Sequence, residues 1–138
     1  MCLDYKDVEE TKKYKNQTGM ITAYKVVIKD DNKIYRPVFI KSDFKFFKKG
    51  KNKAQQVSKD KTCRISDNTY KLGFHSYLTR KGTRKLQAIL KDRTMGEAIR
   101  LIIIKVFIDP KDVTCVGRQD SDRVIVSKSL TIESFNSL

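Results

Sequence analysis

Acidic residues are scarce in this chain of 138 residues: 16 Asp and Glu stand against 30 Lys and Arg, for a formal net charge of +14. A surface so short of acid favours polyanionic partners: DNA, RNA, an anionic membrane face or an acidic protein. Histidine is scarcer still, since His75 is the only one. The three cysteines, Cys2, Cys63 and Cys115, are widely spaced and form no C-x-x-C pair. With a single histidine available, that pattern argues against a zinc site, and no metal or other cofactor is expected. An odd number of distant cysteines fits free thiols in a reducing compartment. Long apolar runs are missing too. The longest, LIIIKVFI at 101–108, is interrupted by Lys105 and falls far short of the ~20 residues a membrane helix needs. The opening MCLDYKDVEETKKYK has no apolar signal core, so no membrane partner and no export are expected.

Motif chemistry is equally sparse. There is neither a GxxxxGK[ST] loop nor a GxGxxG turn to cradle phosphates. The paired aromatic motifs of RNA-recognition domains and the spacings of helix-turn-helix and zinc-finger modules are absent. Nucleic-acid binding therefore has to rest on charge rather than on a base-reading motif. Asp30–Asp31 and Asp120–Asp122 sit in turn-forming contexts, where short acidic side chains usually bond their own backbone.

What the sequence does contain is one domain's length, residues 1–138, with enough apolar content for one core. Asp7 precedes VEETKKYK as a helix N-cap with acids in the first turn. ITAYKVVIK and IYRPVFI, separated by Asp30–Asn32, read as a β-hairpin, with Pro37 putting the second strand at an edge or bulge. Phe44 to Phe47 reads as a short strand or docking turn whose phenylalanines enter the core. Lys48 to Lys61 reads as an exposed basic loop. YKLGFHSYLT alternates as one strand, with Phe74 and Ser76 on one face and His75 and Tyr77 on the other. Gly73 in that strand allows a bulge or a close backbone approach. A principal helix is expected over about 81–94, with Thr83 as N-cap and Leu86, Ile89 and Leu90 as its apolar stripe. IRLIIIKVFID reads as a buried central strand ended by Pro110. VTCVG and RVIVSKSLTIESF follow, with RQDSD as a turn between them. Grouped strands and few helices predict an α+β fold with a mainly antiparallel sheet.

Two basic segments are the candidate sites. Lys45, Lys48, Lys49, Lys51 and Lys53 belong to the loop at 45–61, and Arg80, Lys81, Arg84, Lys85, Lys91 and Arg93 to the helix. Together they are expected to form one positive surface for phosphates. No catalytic residue is expected. His75 is the sole ordinary general base, but its neighbour Ser76 points to the opposite face of a strand. An isolated histidine is more often structural.

The order of MCL at the start, YKVV at 24–27, GFHSYLT at 73–79, KVFIDPKDVTCVG at 105–117 and VIVSKSLTI at 124–132 resembles that of small uncharacterised proteins encoded by phages and prophages. The resemblance spans about residues 20–133. It implies a viral origin and a compact α+β domain acting in the host cytoplasm, and it transfers no site residues. By analogy of origin and size, the partner expected is host nucleic acid or a host nucleoprotein complex, for instance a CRISPR-type defence nuclease to be inhibited. The GFH segment also faintly resembles the histidine-bearing strand of ADP-ribosyltransferase-type folds. That resemblance implies an alternative, a small enzyme using His75 with Glu133 as the late acid. A virion or structural accessory protein is a further alternative.

Overall fold

A computed structural model describes residues 3–38, 45–54, 62–65, 68–71, 73–93 and 100–138, with the backbone alone for 62–65 and 68–71. The strands are β1 (Tyr5–Lys6), β2 (Ile21–Lys29), β3 (Tyr35–Pro37), β4 (Gly50–Lys53), β5 (Thr62–Ile65), β6 (Asn68–Lys71), β7 (Phe74–Tyr77), β8 (Arg100–Ile108), β9 (Val113–Gln119), β10 (Asp122–Ser127) and β11 (Ser129–Ile132). The helices are α1 (Val8–Lys15) and α2 (Arg80–Arg93), with a 3-10 turn at Pro110–Asp112. The expected α+β class with a mainly antiparallel sheet is what forms: nine strands join in the order β1-β9-β10-β7-β2-β8-β11-β4, with β3 on the side of β2.

Local chemistry explains most of these elements. Asp7 caps α1 by accepting the Glu10 N–H at 2.9 Å, and acids in the first turn complement the helix dipole. The β2–β3 hairpin turns on Asp30, whose carboxylate accepts the N–H groups of Asn32 and Ile34 at 2.9 and 3.1 Å. Those bonds, the one from Ile34 foremost, hold its pKa below the ordinary carboxylate value. Pro37 lies in the short strand at the side of β2, where its missing N–H costs little. Asp120 and Ser121, both with positive φ, close the β9–β10 hairpin.

The core follows from one bend. β10 pairs with β7 and β9, while its continuation past Lys128, β11, pairs with β8 and β4. The run β10-β7-β2-β8-β11 thus begins and ends on one continuous length of chain, and the sheet coils towards a barrel. Its inner face packs Ile21, Ala23, Val27, Ile104, Val106, Ile108, Val116, Ile125 and Leu130 into one cluster. Each fully buried isoleucine there contributes roughly 1.5–3 kcal/mol. The outer face of β2 and β8 carries Val26, Leu101 and Ile103, which α2 covers with Leu86 and Leu90. Burial on both faces is why LIIIKVFI reads as a nearly continuous apolar run, broken only at Lys105.

Several expectations need correction. YKLGFHSYLT is not one strand: β6 pairs with β5 in a separate two-stranded sheet, and β7 pairs with β10 and β2. Gly73 sits beside that break. A Cβ there would lie 2.3 Å from the Ser127 carbonyl oxygen, so the expected close backbone approach is present. Helix α2 starts at Arg80 rather than after Thr83. Thr79 caps it, its hydroxyl accepting the Gly82 N–H at 3.2 Å. Thr83 is fully buried and donates its hydroxyl to the Thr79 carbonyl at 2.8 Å. Leu86 and Leu90 pack inward, but Ile89 is 43% exposed. The basic loop begins as a strand, since Gly50–Lys53 pairs with β11; its remainder at 55–61 lies outside the described residues. Phe47 enters the core as expected, bridged to Tyr35, whereas Phe46 is exposed. Phe44 lies outside the described residues.

Candidate nucleic-acid interface

Helix α2 packs on β2, β8 and β7. A helix repeats every ~3.6 residues, so burying Gly82, Thr83, Leu86 and Leu90 turns the opposite face outward. That outward face carries Arg80, Lys81, Arg84, Lys85 and Lys91, all exposed, with Arg93 exposed at the helix end. No acid occupies the first turn. Lys85 lies 3.4 Å from the Asp122 carboxylate, and the Arg80 guanidinium lies 5.5 Å from the centre of the Tyr24 ring. Arg84 and Lys91 share a stripe with Arg80, away from the Lys85–Asp122 pair.

The other cluster is built differently. Lys45, Lys48, Lys49, Lys51 and Lys53 are exposed on and before β4. The stretch GKNK has low strand propensity, and Asn52 fastens it. Its side-chain oxygen accepts the Lys48 N–H at 2.9 Å, and its amide donates to the carbonyls of Lys48 and Gly50 at 2.8 and 3.2 Å. Lys51 reaches Asp112 at 3.8 Å. In the sheet order β11 separates β4 from β8, the strand under α2. The two expected clusters therefore lie on elements that are not neighbours in the sheet.

A cleft of about 460 Å³ that sequence reasoning missed opens where β2 ends and β8 begins. Lys29, Lys33, Lys49 and Arg100 line it, with Tyr35, Ile102 and the segment Ser134–Ser137. Lys29 and Arg100 are direct cross-strand partners, and like charges in that position repel. Among the described residues no carboxylate lies within ion-pair distance of any of the four cations. Phe135 stacks on Tyr35 at 3.8 Å between ring centres, tilted by 8°, and both rings pack against the core. The residues come from four separate stretches of chain, so no local motif announces them. Only Lys49 belongs to the expected set.

The sheet interior holds one further charged group. Lys25 shares the inner face of β2 with Ala23 and Val27. It is partly exposed as a residue, yet its ammonium donates to the His75 carbonyl at 2.5 Å and lies 5.8 and 5.9 Å from the ring centres of Phe47 and Phe74. Burial pulls its pKa from 10.5 down to about 8. The hydroxyls of Ser76 and Ser127 are buried without a hydrogen-bond partner among the described residues. Both alternate faces of ITAYKVVIK carry apolar residues, so no period-two signal in the sequence marks Lys25 as inward-facing.

His75 itself is partly buried, its Nδ1 3.2 Å from the Gly73 carbonyl, and Ser76 faces the opposite way. Glu133 is exposed just past β11, with β2 and β8 between that strand and β7. Cys115 is buried with a free thiol that burial pushes up in pKa. Of the other two, Cys2 and the side chain of Cys63 lie outside the described residues. Burial also raises the Tyr77 hydroxyl to about 12, reinforced by Asp122, Asp120 and Asp4. Among the described residues no three of His, Cys, Asp and Glu gather closely enough to hold a metal ion, and no helix is long and apolar enough to cross a membrane. Comparison with protein-family models, curated proteins and solved structures finds no match.

Proposed function

We propose that this protein binds nucleic acid, with the outward face of α2 as its principal phosphate-contacting surface. One observation carries the reading: a 14-residue helix buries Gly82 and Thr83, packs Leu86 and Leu90 inward, and turns five cations to solvent along the other face, with no acid in its first turn. Arg80 and Lys81 oppose the helix dipole at its N-terminal end, an arrangement that a row of phosphates would offset. Binding of this kind is largely independent of sequence, because phosphate contacts position a protein without reading bases. The lysines of β4 supply a second basic stretch. The sequence resemblance to phage proteins supports a host target, either free nucleic acid or a nucleoprotein complex such as a CRISPR-type nuclease.

Charge reversal tests this directly. Arg84→Glu with Lys91→Glu is expected to weaken binding of duplex and single-stranded polynucleotides of any sequence, measured by fluorescence anisotropy at low salt. Unchanged affinity in that double variant contradicts the assignment to α2. Affinity capture from host cells, with and without nuclease, separates the two kinds of target. A partner that survives nuclease treatment is bound as protein, and one that is lost was held through nucleic acid.

A further inference from the structure

From the cleft at the end of β2 and β8, we infer a site for a single phosphorylated nucleotide, separate from the phosphate-contacting face of α2. The inference rests on the nucleic-acid reading for the class of ligand, and on different residues for its site. Val27 and Ile102 belong to the inner core, and two residues nearer the cleft, Lys29 at the end of β2 and Arg100 at the start of β8 continue the same face beyond it. The cleft thus sits at the mouth of the coiled sheet, a common position for small-ligand sites. Its volume of about 460 Å³ falls within the ~300–1,000 Å³ typical of such pockets.

The lining divides by chemistry. Lys29, Lys33 and Arg100 supply positive charge with no carboxylate in ion-pair reach among the described residues. The direct Lys29–Arg100 pairing is repulsive when the cleft is empty. A phosphate between them turns that repulsion into two charge-assisted contacts. The stacked Tyr35 and Phe135 form the apolar wall, and a base laid against such rings gains stacking energy whatever its identity. Ser134 and Asn136 add polar groups on the same rim. A phosphate and an aromatic base attached to one ligand satisfy both halves. The ligand is either a free nucleotide or the phosphorylated end of a strand.

Isothermal titration calorimetry on the full chain at low salt tests this with a nucleoside triphosphate, inorganic pyrophosphate, the unphosphorylated nucleoside, and a short oligonucleotide with or without a 5′-phosphate. The triphosphate is expected to bind saturably at one site and more tightly than pyrophosphate or nucleoside. Arg100→Gln and Lys33→Gln, both at exposed positions, should each weaken it by about tenfold or more, the usual effect of losing a charge-assisted hydrogen bond. Phe135→Ala, checked for an intact thermal transition, should remove the advantage over pyrophosphate. Preference for the 5′-phosphorylated oligonucleotide over both its unphosphorylated form and the free triphosphate identifies a strand end as the ligand; a triphosphate that binds more tightly than both identifies a free nucleotide. Arg84→Gln with Lys91→Gln on α2 should weaken nucleotide binding far less than Arg100→Gln does. No saturable binding, or binding indifferent to Arg100 and Lys33, overturns the inference while leaving polynucleotide binding by α2 standing. Pyrophosphate binding as tightly as the nucleotide overturns it as well. Nucleotide binding without any polynucleotide binding contradicts the α2 reading alone.

Discussion

At the scale of single residues, Lys25 makes the sharpest physical statement. Its ammonium lies beside the paired rings of Phe47 and Phe74, and burial pulls it down to a pKa of about 8 from 10.5, a gap worth about 3 kcal/mol. The sign follows from proton counting. Below pH 8 the amine is charged in both folded and unfolded chains, and the whole cost is present. Between about 8 and 10.5 the unfolded chain binds more protons, so stability rises with pH. Tyr77, raised to about 12, works the other way above pH 10, where the unfolded chain loses its phenolic proton first. The difference between wild type and Lys25→Met isolates the lysine. Urea denaturation from pH 7 to 10 is expected to show the wild type gaining stability on Lys25→Met as pH rises; a constant difference would contradict the buried charge. His75 is expected to matter little: His75→Gln should retain polynucleotide affinity within about twofold, with stability moving by about 1 kcal/mol or less, as for loss of one neutral hydrogen bond. A collapse of function in a folded His75→Gln protein would favour the enzymatic alternative.

Helix α2 shows at the scale of elements what a sequence reveals and what it conceals. Its existence and basic face were legible, because Leu86 and Leu90 repeat at helical spacing among cations. Its start was not. Thr79 and Thr83 are both plausible caps, and the choice depends on Gly82 meeting β7 and β10. A Cβ on Gly82 would lie 2.7 Å from Tyr77 Cδ1 and 3.0 Å from Asp122 Cβ. Gly82→Ala should therefore lower stability by about 1–3 kcal/mol through overpacking, although alanine favours helix by about 1 kcal/mol. Thermal denaturation decides between the two, and a stabilised variant would mean the helix shifts freely. β8 was legible because both its faces are buried. β4 was hidden because GKNK carries no strand signal and owes its pairing to Asn52 and β11. The split between β6 and β7 was hidden because alternation continues across Gly73. The cleft was least legible of all, since Lys29, Lys33, Arg100 and Phe135 meet only once the sheet has coiled.

At the scale of the whole molecule, the question is whether a net charge of +14 acts as a diffuse cloud or through a surface. Salt distinguishes the two, since each phosphate neutralised by a fixed cation adds roughly −0.9 to the log–log slope of affinity against salt for duplex DNA. A matched comparison uses Arg84→Glu with Lys91→Glu on α2 and Lys12→Glu with Lys13→Glu on α1, two pairs of exposed residues with the same change in net charge. Duplex affinity measured from low to moderate salt is predicted to fall steeply for the wild type and the α1 variant. For the α2 variant it is predicted to be weaker throughout, with a flatter slope. Equal losses in the two variants would make the charge a diffuse cloud, and no measurable duplex binding by the wild type at low salt would contradict nucleic-acid binding altogether.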